Sequence, residues 1–128
     1  MKKISSGLIA ILAAAGLSFG ATRTQAKGSE SRAFIGEIYD SACAKQSSHE
    51  MMEKMEGVSD AKSCTIKCVE SGSKYVLYNA PRKIIYALDD QTKPKQFAGQ
   101  MVRVTGTYDK TTKTIHVETI EVAKPRQN

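Results

Sequence analysis

Residues 101–122 read MVRVTGTYDKTTKTIHVETIEV, and this stretch decides the fold. Residues 101–108 and 114–122 are rich in valine, threonine and isoleucine, and DKTTK at 109–113 separates them. Two β-patterned runs around a short polar turn predict a hairpin. Upstream, residues 89–99 (DDQTKPKQFAG) form a polar connection with room for one helical turn near Gln96. Before it, residues 74–79 (KYVLYN) and 83–88 (KIIYAL) flank Ala80-Pro81-Arg82, which predicts a second hairpin. Near the other end, residues 33–39 alternate Phe34, Gly36 and Ile38 with Ile35, Glu37 and Tyr39, the period of a strand. Gly36 inside that run predicts a bulge or a sharp coil.

Between the first and second strands lies an insert, residues 41–72. Residues 41–46 leave the strand. Ser47 and Glu50 match a capping box for a short helix over 48–56 that stops at Gly57. Ser59 or Asp60 can cap a second helix over about 61–71. On it Ala61, Cys64, Thr65, Cys68 and Val69 share one face at spacings of three and four.

The expected architecture is therefore mainly β: a five-stranded, OB-fold-like small barrel with a two-helix insert after strand 1 and a short helical link between strands 3 and 4. Gly36 and Gly106 sit mid-strand, where closing a small barrel requires sharp bends. Another five-stranded barrel or roll with the same strand count is the alternative.

The N-terminus has the three-part pattern of a secretory signal peptide: Lys2-Lys3, the apolar run LIAILAAAGL at 8–17, and small residues at Thr24-Gln25-Ala26. The run is short for a bilayer span, which needs about 20 apolar residues. Cleavage after Ala26 is expected, with Gly20 the competing site and an uncleaved anchor helix the alternative. The expected organisation is a leader at 1–26, a linker at 27–32, the domain at 33–123 and a polar tail at 124–128. Three of the 19 Lys and Arg lie in the leader, so the formal charge of +6 falls to +3 on processing. That balance argues against a nucleic-acid partner. The expected location is exported, periplasmic or extracellular, with no stable membrane span after processing. Paired cysteines there form disulfides by default, and three cysteines leave one over.

The insert gathers the ligand-type side chains: Cys43, His49, Met51, Met52, Met55, Cys64 and Cys68. Cys43, His49, Cys64 and Cys68 form a possible Cys3His set for zinc. Met52 as a neighbouring thioether shifts preference toward Cu(I). The bland reading makes Cys43 the disulfide partner of Cys64 or Cys68 and the methionines packing. A Cys64–Cys68 bridge is disfavoured, because that spacing on a regular helix does not meet disulfide geometry easily. A helix-start thiol at Cys64 is a third option, without a C-x-x-C motif to support it.

Catalytic motifs are missing: no G-x-S-x-G and no H-E-x-x-H occurs. Asp89-Asp90 reads as a solvated turn and His116 as a surface residue. Tyr75, Tyr78 and Tyr86 lie where OB-folds often stack ligands, although some must turn inward. Two functions follow as expectations. One is an exported metal-binding module with Zn or Cu(I) at the Cys/His/Met cluster. The other is a disulfide-stapled domain without metal that binds a protein, peptide or glycan.

A resemblance adds to this. The stretch AGQMVRVTGTYDKTTKTIHVETIEV resembles the closing hairpin of secreted bacterial OB-fold domains. Residues 40–78 resemble a group of uncharacterised secreted bacterial OB-fold-like proteins. Their pattern maps onto Cys43, His49, Met52, Cys64-Thr65, Cys68-Val69, Gly72 and Lys74-Tyr75. The resemblance implies the fold and export, and it points to the cysteine-rich insert as the site.

Overall fold

The computed structural model describes residues 30–46 and 59–124. The expected leader, the expected helix over 48–56 with His49, Met51, Met52 and Met55, and the last four residues lie outside the described residues. Five strands form: β1 (Arg32–Asp40), β2 (Tyr75–Asn79), β3 (Ile84–Leu88), β4 (Met101–Asp109) and β5 (Thr114–Val122). Helices α1 (Ser41–Gln46) and α2 (Ala61–Glu70) lie between β1 and β2. A 3-10 turn over Lys93–Phe97 links β3 to β4, where the polar connection was expected to hold one.

The strands make one sheet in the order β1-β2-β3-β5-β4, and β4 returns to β1, so the sheet closes in a ring. All pairings are antiparallel except β3 with β5, which meet in parallel through Ala87↔Thr114 and Leu88↔Ile115. β1 serves two neighbours. Arg32 to Glu37 pair with β4, and Glu37 to Asp40 pair with β2. The handover falls next to Gly36, where a Cβ would stand 2.6 Å from the Tyr78 carbonyl oxygen. Only a residue without a side chain lets β1 coil this close to β2. Gly106 plays the matching part between β4 and β5. The register shifts between Thr105 and Gly106, and a Cβ there would collide with the His116 carbonyl oxygen.

Strand alternation fills the ring. Ile38, Leu77, Val102, Val104 and Ile115 are fully buried, joined by Phe34, Tyr75, Leu88 and Ala98. Each large aliphatic side chain contributes about 1.5–3 kcal/mol by leaving water. A second cluster lies outside the ring. There Tyr39, Val76 and Tyr78 pack beneath Cys43, Ala44, Cys64 and Cys68 of the two helices. β2 is therefore buried on both faces from Tyr75 to Tyr78. This changes the expected ligand face: Tyr75 belongs to the ring core and Tyr78 to the helix cluster. Tyr86 packs edge-on to Phe34, with ring centroids 5.3 Å apart.

One local expectation is corrected and one stretch gains an element. Arg32, assigned to the linker, is the first residue of β1 and pairs with Gly106. Residues 41–46, read from sequence only as leaving the strand at the start of the insert, form α1. The reason is Asp40, whose Oδ1 accepts the N–H groups of Ala42 and Cys43, each at 3.0 Å. A carboxylate that satisfies two otherwise orphaned amides starts a helix at once. At the second helix, Asp60 is the cap, with its carboxylate accepting the Ser63 N–H at 2.7 Å.

Candidate functional site: a buried thiol and carboxylate cluster

The site stands where β1 ends. The corner is fixed by backbone contacts to the start of β2: the Ser41 N–H donates to the Lys74 carbonyl at 2.8 Å, and the Lys74 N–H donates to Ser41 Oγ at 3.1 Å. The α1 cap then turns the chain so that Cys43 faces inward. α2 lies across the same outer face and presents Cys64 and Cys68 one turn apart. Asp40, Cys43 and Cys64 have no exposed surface, and Cys68 has 6%.

One ligand atom from each of Asp40, Cys43, Cys64 and Cys68 lies within 4.8 Å of every other. The Sγ atoms of Cys43 and Cys64 are 3.9 Å apart, and all three cysteines are free thiols. A tetrahedron built on Zn–S bonds of about 2.3 Å has S···S edges of about 3.8 Å. The Cys43–Cys64 separation already matches such an edge.

The electrostatics follow from burial. Loss of water pushes the Cys43 thiol up, and the Asp40 carboxylate beside it and the Cys64 thiol add to the shift. Cys68 is raised by the same causes: burial first, then the charge of Asp40 and the neighbouring Cys64. The two thiols therefore hold their protons until a cation compensates the charge. Asp40 Oδ2 is buried without a hydrogen-bond partner of good geometry, and so is the Thr65 hydroxyl on the buried face of α2. Tyr39, beneath the cluster, has its phenol pushed up mainly by burial, and its ring lies 5.2 Å from that of Tyr78.

Three of the five site residues expected from sequence converge: Cys43, Cys64 and Cys68. His49 and Met52 lie outside the described residues. Sequence reading missed Asp40 because it ends a strand pattern and looks like a turn residue. The signal available was its position directly before Ser41-Ala42-Cys43, where an Asp can cap a helix and sit beside the first cysteine.

Asp89 and His116, read from sequence as a turn residue and a surface residue, form an exposed pair. The Asp89 carboxylate meets His116 Nδ1 at 3.1 Å and accepts the Val117 N–H at 2.8 Å. His116 is on the surface, as expected, and Asp89 ties β3 to β5 rather than standing free in a turn.

A family model described as a protein of unknown function (DUF5818) matches residues 69–123. The match spans β2 to β5 and begins one residue after Cys68, so no member of the cluster falls inside it. No curated protein and no solved structure matches the chain. Among the described residues, no helix is long and apolar enough to cross a membrane.

Proposed function

We propose that this chain is a small exported module that binds one soft or borderline metal ion, Zn2+ or Cu(I), at the buried cluster of its helical insert. The observation that carries this reading is the convergence of three thiols and one carboxylate, from three separate elements, to within 4.8 Å. Sulfur donors in a dry pocket select such ions over the hard cations, which prefer oxygen. In this reading the ring is an OB-fold. That assignment is supported by the order β1-β2-β3-β5-β4 and the single 3-10 turn between β3 and β4. Export is supported by the leader pattern, and the donor expected from sequence at His49 is tested by substitution.

The test is a titration of reduced protein, under anaerobic conditions, with zinc and with Cu(I). Wild type should bind one ion, and Cys68→Ser should weaken binding by at least about 100-fold, more than loss of a mere supporting residue costs. His49→Ala reports whether that imidazole takes part. Weak binding by wild type, unchanged by Cys68→Ser, excludes the metal module.

The 3.9 Å approach of Cys43 to Cys64 favours one second reading, a disulfide-stapled domain that binds a protein, peptide or glycan. Thiol counting on exported protein separates the two. A metal site needs three reduced thiols, whereas a staple leaves one.

A further inference from the structure

Asp40 is used on one side only. Its Oδ1 is occupied by the Ala42 and Cys43 amides, which fixes the plane of the carboxylate. Its Oδ2 is fully buried without a hydrogen-bond partner of good geometry, and a carboxylate oxygen of Asp40 lies within 4.8 Å of all three thiol sulfurs. A buried carboxylate oxygen left in this position destabilises the fold unless a proton donor or a cation pairs with it. The two hydrogen bonds to Oδ1 are the kind of outer-shell support that aims a metal-binding oxygen before the ion arrives.

We infer that Asp40 Oδ2 is the fourth ligand of the cluster, and that this oxygen sets the site for a divalent borderline ion of the zinc class rather than Cu(I). The inference rests on the metal-binding reading above and adds the ligand and the selectivity. Three thiolates alone suit Cu(I), which gains little from a carboxylate oxygen. Zinc accepts sulfur and oxygen donors together and completes a tetrahedron with four. Four protein ligands leave no open position, and all four residues are buried. Such a site is closed, so the ion is structural. It fastens the end of β1, α1 and α2 to one another and activates no water.

The experiment compares wild type with Asp40→Asn. Asparagine keeps the shape and the Oδ1 cap but places an NH2 group, which is no ligand, where Oδ2 stood. Zinc affinity should fall by about 100-fold or more, whereas Cu(I) affinity should stay within about threefold of wild type. Co2+ loaded into wild type should show tetrahedral visible absorption, and Asp40→Asn should shift those bands. Zinc bound equally tightly by Asp40→Asn overturns this inference and leaves the metal module standing. Wild type that binds neither ion removes both. Should Asp40→Asn fail to fold, X-ray absorption of zinc-loaded wild type decides. Three sulfurs and one carboxylate oxygen are expected, and an imidazole or a fourth sulfur in the first shell overturns the assignment.

Discussion

Cys43 Sγ and Cys64 Sγ lie 3.9 Å apart across 21 positions of sequence, one on the helix that leaves β1 and the other on the helix that leads into β2. A covalent S–S bond is about 2.05 Å long, so a small shift joins them. A low-molecular-weight disulfide such as oxidised glutathione is expected to take up the two electrons and two protons and be reduced to two thiols, leaving a Cys43–Cys64 bridge. Thiol counting should then find only Cys68, and the oxidised protein should no longer retain zinc. The closed loop should make the domain more stable by about 3 kcal/mol in urea. Peptide mapping that returned a Cys64–Cys68 bridge instead would contradict the geometry.

Leu77 has no exposed surface and sits in the ring core, paired with Ile38 of β1 on one side and Tyr86 of β3 on the other. Leu77→Ala should cost about 2–5 kcal/mol, since both transfer energy and the cavity count against it. Denaturant melts of reduced, metal-free protein measure this without interference from the cluster. A loss under about 1 kcal/mol would mean that the core is not packed around this residue.

Gly36→Ala should be destabilising although it adds only one methyl group. The new Cβ would press on the Tyr78 carbonyl, which belongs to a paired strand and cannot move freely. A cost of about 1–3 kcal/mol is expected, as for other overpacking changes. Gly72→Ala makes an informative companion: nothing lies within 4 Å of a Cβ there, so any cost comes from the positive φ of 112° alone. A Gly36→Ala variant as stable as wild type would show that β1 does not approach β2 this closely.

Acid should weaken the protein partly through Asp89. Partial loss of water pushes this carboxyl up, but hydrogen bonds from the Val117 N–H and His116, with the imidazole charge, more than offset it and hold the carboxyl below its ordinary value. A depressed carboxyl contributes stability that is present above its unfolded pKa of about 3.9 and is lost as pH falls through the lower folded value. Melting curves should therefore drop from about pH 4 downward, and Asp89→Asn should flatten that drop. An identical acid profile for wild type and variant would place the sensitivity elsewhere.

These expectations differ in how far the sequence discloses them. The five strands are legible because each carries its own local signal, and the ends of β4 and β5 fall within a residue of those read from MVRVTGTYDKTTKTIHVETIEV. The buried face of α2 is legible too, since Cys64, Thr65 and Cys68 obey helical spacing. α1 is not, because its six residues are too few for a periodic pattern and its start depends on one side chain, Asp40. Asp40 as a cluster member is hidden for a related reason: an aspartate after a strand looks like a turn until the chain is seen to fold α2 over it. Tyr75 and Tyr78 mislead because β2 is covered on both faces, and that cover comes from an insert whose packing no local pattern reveals.

The parallel join of β3 to β5 is short. Ala87 N–H reaches the Lys113 carbonyl at 3.0 Å, Asp89 N–H reaches the Ile115 carbonyl at 3.2 Å, and the next rung is completed by the Asp89 side chain rather than by backbone. Every other junction in the ring runs over at least four residue pairs. The domain therefore has a clasp. In native-state hydrogen exchange the amides of Ala87, Asp89 and Val117 should open at lower free energy than those of Ile38 and Val104. Opening there would release β5 from β3 while the β4–β5 hairpin stayed whole. A closed ring held by so short a seam can breathe along one line without unfolding.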